Sequence, residues 1–141
     1  MPTLATFGRR PQRKKSMTIT RSLVSVVDDD ESVRESLPDL LREFGYAARA
    51  FSSAEEFLMS DYMCQTRCLI VDVTMPGMTG PDLQRELALR RQKIPIVFIT
   101  ALEDEAFRAR VLEQGGVVEC LFKPFSDTAL LGAVNAAFLG S

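Results

Sequence analysis

Apolar residues come along this chain in short dense runs, separated by longer stretches where they recur every three or four positions. The runs at 23–27, 46–51, 69–71, 94–99 and 117–122 read as strands, and the periodic stretches between them read as helices. The first run, Leu23-Val24-Ser25-Val26-Val27, ends on three aspartates. Val33, Leu37, Leu40, Leu41 and Phe44 then share one helical face, Gly45 supplies a stop, and Pro38 is expected to kink that helix or remove a backbone bond. Ser52, Ser53, Glu55 and Glu56 offer two overlapping capping boxes for a short helix ending near Ser60.

Leu69-Ile70-Val71 is continuously apolar, as expected of a central strand buried on both faces. The segment 74–80 is rich in breakers and reads as a loop. A third helix is predicted over 82–91, with Leu83, Leu87 and the stem of Arg90 facing inward, and a fourth over 103–114, with Gly115-Gly116 at its end. Ser126 caps a last helix carrying Leu130, Leu131, Val134 and Phe138 at helical spacing. Five strand–helix units in this order predict an α/β fold: a doubly wound parallel sheet, (βα)5, with helices on both faces.

Composition narrows the chemistry. The 141 residues are 46% hydrophobic, enough for one globular domain, and include no His, which excludes His-based catalysis and His metal ligation. Six basic residues and no acid fall within 1–21, leaving 11 basic residues against 19 acids in 22–141, a net charge of −8. A body that acidic repels nucleic-acid phosphates, so direct nucleic-acid binding by the domain is not expected. Residues 1–20 read as a basic, solvated tail and 21–141 as the domain. No apolar stretch reaches eighteen residues, so no membrane span is expected. An odd count of three Cys (Cys64, Cys68, Cys120) without a secretory signal points to a reducing, cytoplasmic setting.

In sheets of this kind, ligands bind at the carboxyl ends of the strands. Asp28, Asp29 and Asp30 follow the first strand, Asp72 the third, Thr100 the fourth, and Lys123 with Pro124 the fifth. Each alone has an ordinary reading as a turn residue, a helix cap or a surface lysine. Together, several carboxylates on one rim repel unless a cation joins them, and hard oxygen ligands suit Mg²⁺. A lysine and a hydroxyl beside them suit a phosphoryl group.

The stretches Val26-Val27-Asp28-Asp29-Asp30-Glu31, Leu69 to Gly80 with Asp72-Val73-Thr74-Met75-Pro76-Gly77 at its heart, Pro95 to Ala101, and Leu121-Phe122-Lys123-Pro124-Phe125 resemble those of CheY-like response-regulator receiver domains. The resemblance spans about residues 21–139 and is similar in wording to receivers that precede LuxR-type output domains. It implies the flavodoxin-like strand order 2-1-3-4-5 and a signalling role rather than turnover of an external substrate. Asp72 would accept a phosphoryl group from a sensor histidine kinase. Asp29 and Asp72 would ligate Mg²⁺ directly, Asp28 through water and Thr74 through its backbone carbonyl. Lys123 would pair with a phosphoryl oxygen, Thr100 would move toward the phosphoryl group, and the peptide before Pro124 would be cis. The face of the fourth helix, fifth strand and fifth helix would then switch to meet an output protein, a DNA-binding half or a second copy in a homodimer. Leu102 and Phe107 are its candidate apolar contacts, with core packing expected for Phe107.

Two positions depart from that pattern. Cys120 stands where receivers carry an aromatic switch residue, so coupling through a ring is not expected. Leu102, two residues after Thr100, cannot orient a hydrolytic water by hydrogen bonding, so slow self-dephosphorylation is expected. Two other functions compete. A haloacid-dehalogenase-like Mg²⁺-dependent phosphatase shares the aspartate–threonine–lysine set, and Asp28-x-Asp30 imitates its opening motif. That group needs a further acidic pair beyond the lysine, however, where only Asp127 stands. A receiver-like binding module independent of phosphorylation would retain the fold without needing these side chains.

Overall fold

The computed structural model describes residues 22–140; the basic segment 1–20 and its boundary with the domain lie outside the described residues. The strands are β1 (Leu23–Val27), β2 (Ala47–Phe51), β3 (Cys68–Asp72), β4 (Ile96–Thr100) and β5 (Val117–Phe122). The helices are α1 (Glu31–Glu43), α2 (Ala54–Met59), α3 (Gly80–Leu89), α4 (Glu105–Leu112) and α5 (Asp127–Leu139), with a 3₁₀ turn at Met63–Gln65. All pairings are parallel, and the sheet runs β2-β1-β3-β4-β5. This is the doubly wound order expected from the resemblance.

Alternation along the strands splits the core in two. Val27, Leu69, Val71, Ile96 and Phe98 point toward Phe57, Leu83, Leu87 and Val111, so α2, α3 and α4 cover one face. Val24, Val26, Ile70, Val97 and Ile99 meet Leu37, Leu41, Leu130 and Val134, so α1 and α5 cover the other. β1, β3 and β4 are buried along their entire length because a helix layer lies on each side.

The capping boxes resolve in favour of Ser53, whose hydroxyl accepts the Glu56 N–H while the Glu56 carboxylate accepts the Ser52 N–H. α1 continues through Pro38, whose ring is buried, and Gly45 just beyond it takes φ +95°. Three local expectations are corrected. Phe44 is exposed at the C-cap of α1 instead of on its inner face, because the helix ends at Glu43. Arg90 is an exposed C-cap paired with Glu86, with its stem outside the core. α3 begins at Gly80, inside the predicted loop, because Thr79 and Asp82 form a capping box and Pro81 suits a first turn.

Candidate functional site

The carboxyl ends of β1, β3, β4 and β5 gather the predicted side chains on one rim. Asp28, one step beyond β1, is fully buried. Its N–H donates to the Phe51 carbonyl (3.1 Å), tying the end of β1 to β2. Its Oδ1 accepts the Asp30 N–H (3.0 Å), and its Oδ2 accepts from Lys123 Nζ (3.0 Å). Asp29 next to it is exposed. Asp30 is a helix cap: its carboxylate accepts the N–H and hydroxyl of Ser32, and these bonds hold it below the usual carboxylate range.

Asp72 closes β3 and is buried. Lys123 Nζ lies 3.7 Å from its Oδ1, so one ammonium bridges Asp28 and Asp72. Burial, reinforced by the negative charge of Asp28, pushes the Asp72 carboxyl up from 3.8 to about 6, although Lys123 pulls the other way. Burial alone would lower Lys123. Its hydrogen bond to Asp28 and the charges of Asp28 and Asp72 outweigh that and hold it above 10.5.

Carboxylate oxygens of Asp28, Asp29 and Asp72 lie within 4.8 Å of one another. An oxygen-only set of three acids, one of them reluctant to ionise, fits a hard divalent cation such as Mg²⁺. Thr74 is exposed two residues beyond Asp72, and its backbone N–H bonds to the Asp72 carboxyl.

Thr100 ends β4 and is buried; its Oγ1 accepts the Leu102 N–H (3.1 Å) and its carbonyl accepts the Lys123 N–H (2.7 Å). The Lys123–Pro124 peptide is cis. Leu102 is exposed, whereas Phe107 is half-buried with its ring tilted against Phe98. Cys120 is buried in the core between the sheet and α4.

Three contributors to the site were not assigned to it from the sequence. Arg34 on α1 donates to the Asp28 carbonyl (3.1 Å) and fixes the turn that carries the acids. Glu55, expected only as a cap, accepts the Met78 N–H (3.2 Å) and steadies the loop after β3. Gly80 is required by space: a Cβ there would lie 2.7 Å from the Asp72 carbonyl oxygen and 3.0 Å from the Phe98 ring. A cavity of about 1000 Å³ lies at the opposite end of β4 and β5, lined by residues such as Leu87, Ile94 and Val117, and among the described residues no acidic side chain lines it.

A parallel (βα)5 sheet with an acidic cluster, a threonine and a lysine at its carboxyl rim defines a receiver-type signalling domain. Residues 24–135 match the response regulator receiver domain family, and this chain belongs to that family. It is 44% identical over 131 residues to Nodulation protein W of Bradyrhizobium diazoefficiens, an alignment covering 93% of this chain and 57% of that protein. A solved structure of the response regulator StyR superposes with a TM-score of 0.75 at 42% identity, covering 83% of this chain and 59% of that one. FixJ-N superposes at 0.71 with 35% identity, covering 82% and 91%. The chain spans a little over half the length of curated relatives that it matches. It is thus a receiver domain of two-component signalling, related to transcriptional regulators, and among the described residues no helix is long and apolar enough to cross a membrane.

Proposed function

We propose that this receiver, residues 21–141, takes a phosphoryl group from a sensor histidine kinase onto Asp72, with Mg²⁺ held by Asp28, Asp29, Asp72 and the Thr74 carbonyl. The observation that carries this reading is the buried Asp72 carboxylate beside Asp28 and Asp29, with Lys123 bridging two of the three acids. An Asp72 carboxylate oxygen forms the bond to phosphorus as the donor's phosphorus–nitrogen bond breaks, and the imidazole nitrogen keeps the electron pair. Lys123 gives a positive charge to a phosphoryl oxygen, which requires its ammonium to share or leave Asp28. Thr100 donates its hydroxyl proton to a second phosphoryl oxygen, moving toward the phosphoryl group and drawing on the loop after β4 whose Leu102 N–H it holds. When bound, Mg²⁺ supplies charge neutralisation between an anionic acceptor and an anionic donor.

The acceptor acts on itself, so the domain is a signalling part and not an enzyme with an external substrate. Phosphorylation adds about −1.5 to −2 of charge at one rim and biases the α4–β5–α5 face toward its partner. That partner is an output protein, a DNA-binding half of a longer cytoplasmic regulator, or a second copy of this domain. The acidic body argues against direct nucleic-acid binding by this domain.

The test is intact mass after incubation with acetyl phosphate and Mg²⁺. One phosphoryl adduct is expected on the wild type, absent without Mg²⁺ and absent in Asp72→Ala. Rapid consumption of the donor that depends on Asp28, with no adduct, favours the phosphatase. Neither adduct nor turnover favours the binding module.

A further inference from the structure

One guanidinium outside the acid cluster joins two elements. Arg108, on α4, donates through Nε to the Cys120 carbonyl (3.0 Å) and through Nη2 to Glu119 Oε1 (2.8 Å), both on β5. The same Glu119 oxygen accepts the Cys120 N–H (2.9 Å). Among the described residues β5 is the last strand of the sheet, so there the N–H and C=O that Cys120 turns to the open side meet no neighbouring strand. Arg108 and Glu119 satisfy both groups.

Little else holds α4. Val111 is its single buried residue, and Phe107 is only half-buried against Phe98. An isolated surface ion pair contributes little. Here the two side chains are only about one-third exposed, at 34% and 31%, and one of the bonds is to a strand carbonyl, so the pair fixes where α4 sits.

That position matters at the rim. The Thr100 hydroxyl accepts the Leu102 N–H, so any displacement of Thr100 Oγ1 toward Asp72 must pull the loop 101–104 along or break that bond. The loop ends at Asp104, which caps α4 by accepting the Phe107 N–H. α4 in turn is fastened to β5 one turn later by Arg108. Cys120 is the other end of the fastening and is too small to transmit motion through a ring.

We propose that Arg108 is a positioning residue of the phospho-accepting site, whose latch from α4 to β5 holds the loop 101–104, and with it Thr100, in the resting arrangement. The inference rests on Asp72 being the acceptor. The latch opposes the displacement of Thr100, so weakening it raises the population of the competent arrangement and speeds labelling.

The test uses the full chain and the variants Arg108→Ala, Arg108→Lys and Glu119→Gln. Amide exchange at Leu102 and Cys120 is followed in the unphosphorylated protein, and the initial rate of Asp72 labelling is followed with acetyl phosphate and Mg²⁺. Arg108→Ala is expected to speed exchange at both amides by about tenfold, the loss of one charge-assisted hydrogen bond. Labelling should be severalfold faster. Arg108→Lys should fall between, because an ammonium still meets Glu119 but lacks the second planar donor for the Cys120 carbonyl. Should Arg108→Ala fail to fold, Glu119→Gln is expected to move both rates in the same direction by a smaller factor. Labelling of folded variants at the wild-type rate overturns the latch while leaving the acceptor reading intact. A wild type that takes no phosphoryl group overturns the acceptor reading, and the role of Arg108 falls with it.

Discussion

The inner sheet and its outer border are built differently. Every residue of β1, β3 and β4 is buried, whereas in β5 only Cys120 is. Three helices on one face and two on the other clamp the inner strands, but α4 brings one buried residue to the border. The difference divides the labour at the rim. Asp28 and Asp72 sit on the part of the sheet that packing holds still, where a carboxylate cluster needs fixed distances. Lys123 and the loop after Thr100 belong to the border, where a charge placed on Asp72 meets the least resistance. On the proposed reading, an acceptor that needs rigidity and an output surface that needs to yield match this distribution of apolar residues.

The sharpest way to break this comparison is to truncate one aliphatic side chain on each side to alanine. Ile70→Ala in β3 is expected to cost about 3 kcal/mol by lost burial and an unfilled cavity. Val118→Ala in β5 is expected to cost less than about 1 kcal/mol, because its site is half open to water. Urea midpoints read both, and equal losses would mean that the border is packed as tightly as the centre.

A second measurement concerns the charge that the rigid part tolerates. The folded protein holds a proton on Asp72 more tightly than the unfolded chain does, since its carboxyl rises from 3.8 to about 6. Stability from this group is therefore present below pH 4 and lost as pH rises through 6, a difference of up to about 3 kcal/mol. Metal-free wild type is expected to melt higher at pH 5 than at pH 7.5. Asp72→Asn should flatten that dependence and be the more stable protein at pH 7.5. Adding Mg²⁺ should stabilise wild type at pH 7.5 and the variant much less. A wild type equally stable at both pH values would show that Lys123 already neutralises the cluster.

The smallest effect is expected at the border itself. Leu102 is 64% exposed and offers only its backbone N–H to the rim. Leu102→Glu should shorten the lifetime of phosphorylated Asp72 severalfold, because a carboxylate can orient a water that leucine cannot. Intact mass followed over time reads this, and an unchanged lifetime would show that water reaches the phosphoryl group by another path.

The rim was legible in the sequence because it follows from two coarse facts, the apolar runs and what stands immediately after each. Asp28, Asp72, Thr100 and Lys123 needed nothing finer than a strand end. Helix boundaries were less legible because they depend on which of several polar residues wins a cap. Thr79 took the start of α3 from Asp82, and the end of α1 at Glu43 left Phe44 outside the core. Least legible were Arg34, Glu55 and Arg108, each of which reaches a backbone group on another element. A charged residue at the surface of a helix leaves no periodic trace of the bonds it makes across the fold.

The Arg108–Glu119 pair also bears on solubility. An open strand edge is a template for another strand, and a side chain seated on its backbone groups blocks that pairing. At Cys120 the blocking groups and the latch are the same two residues. On the proposed mechanism, loosening α4 would uncover a short stretch of pairing edge, with a brief aggregation hazard for as long as the signal lasts.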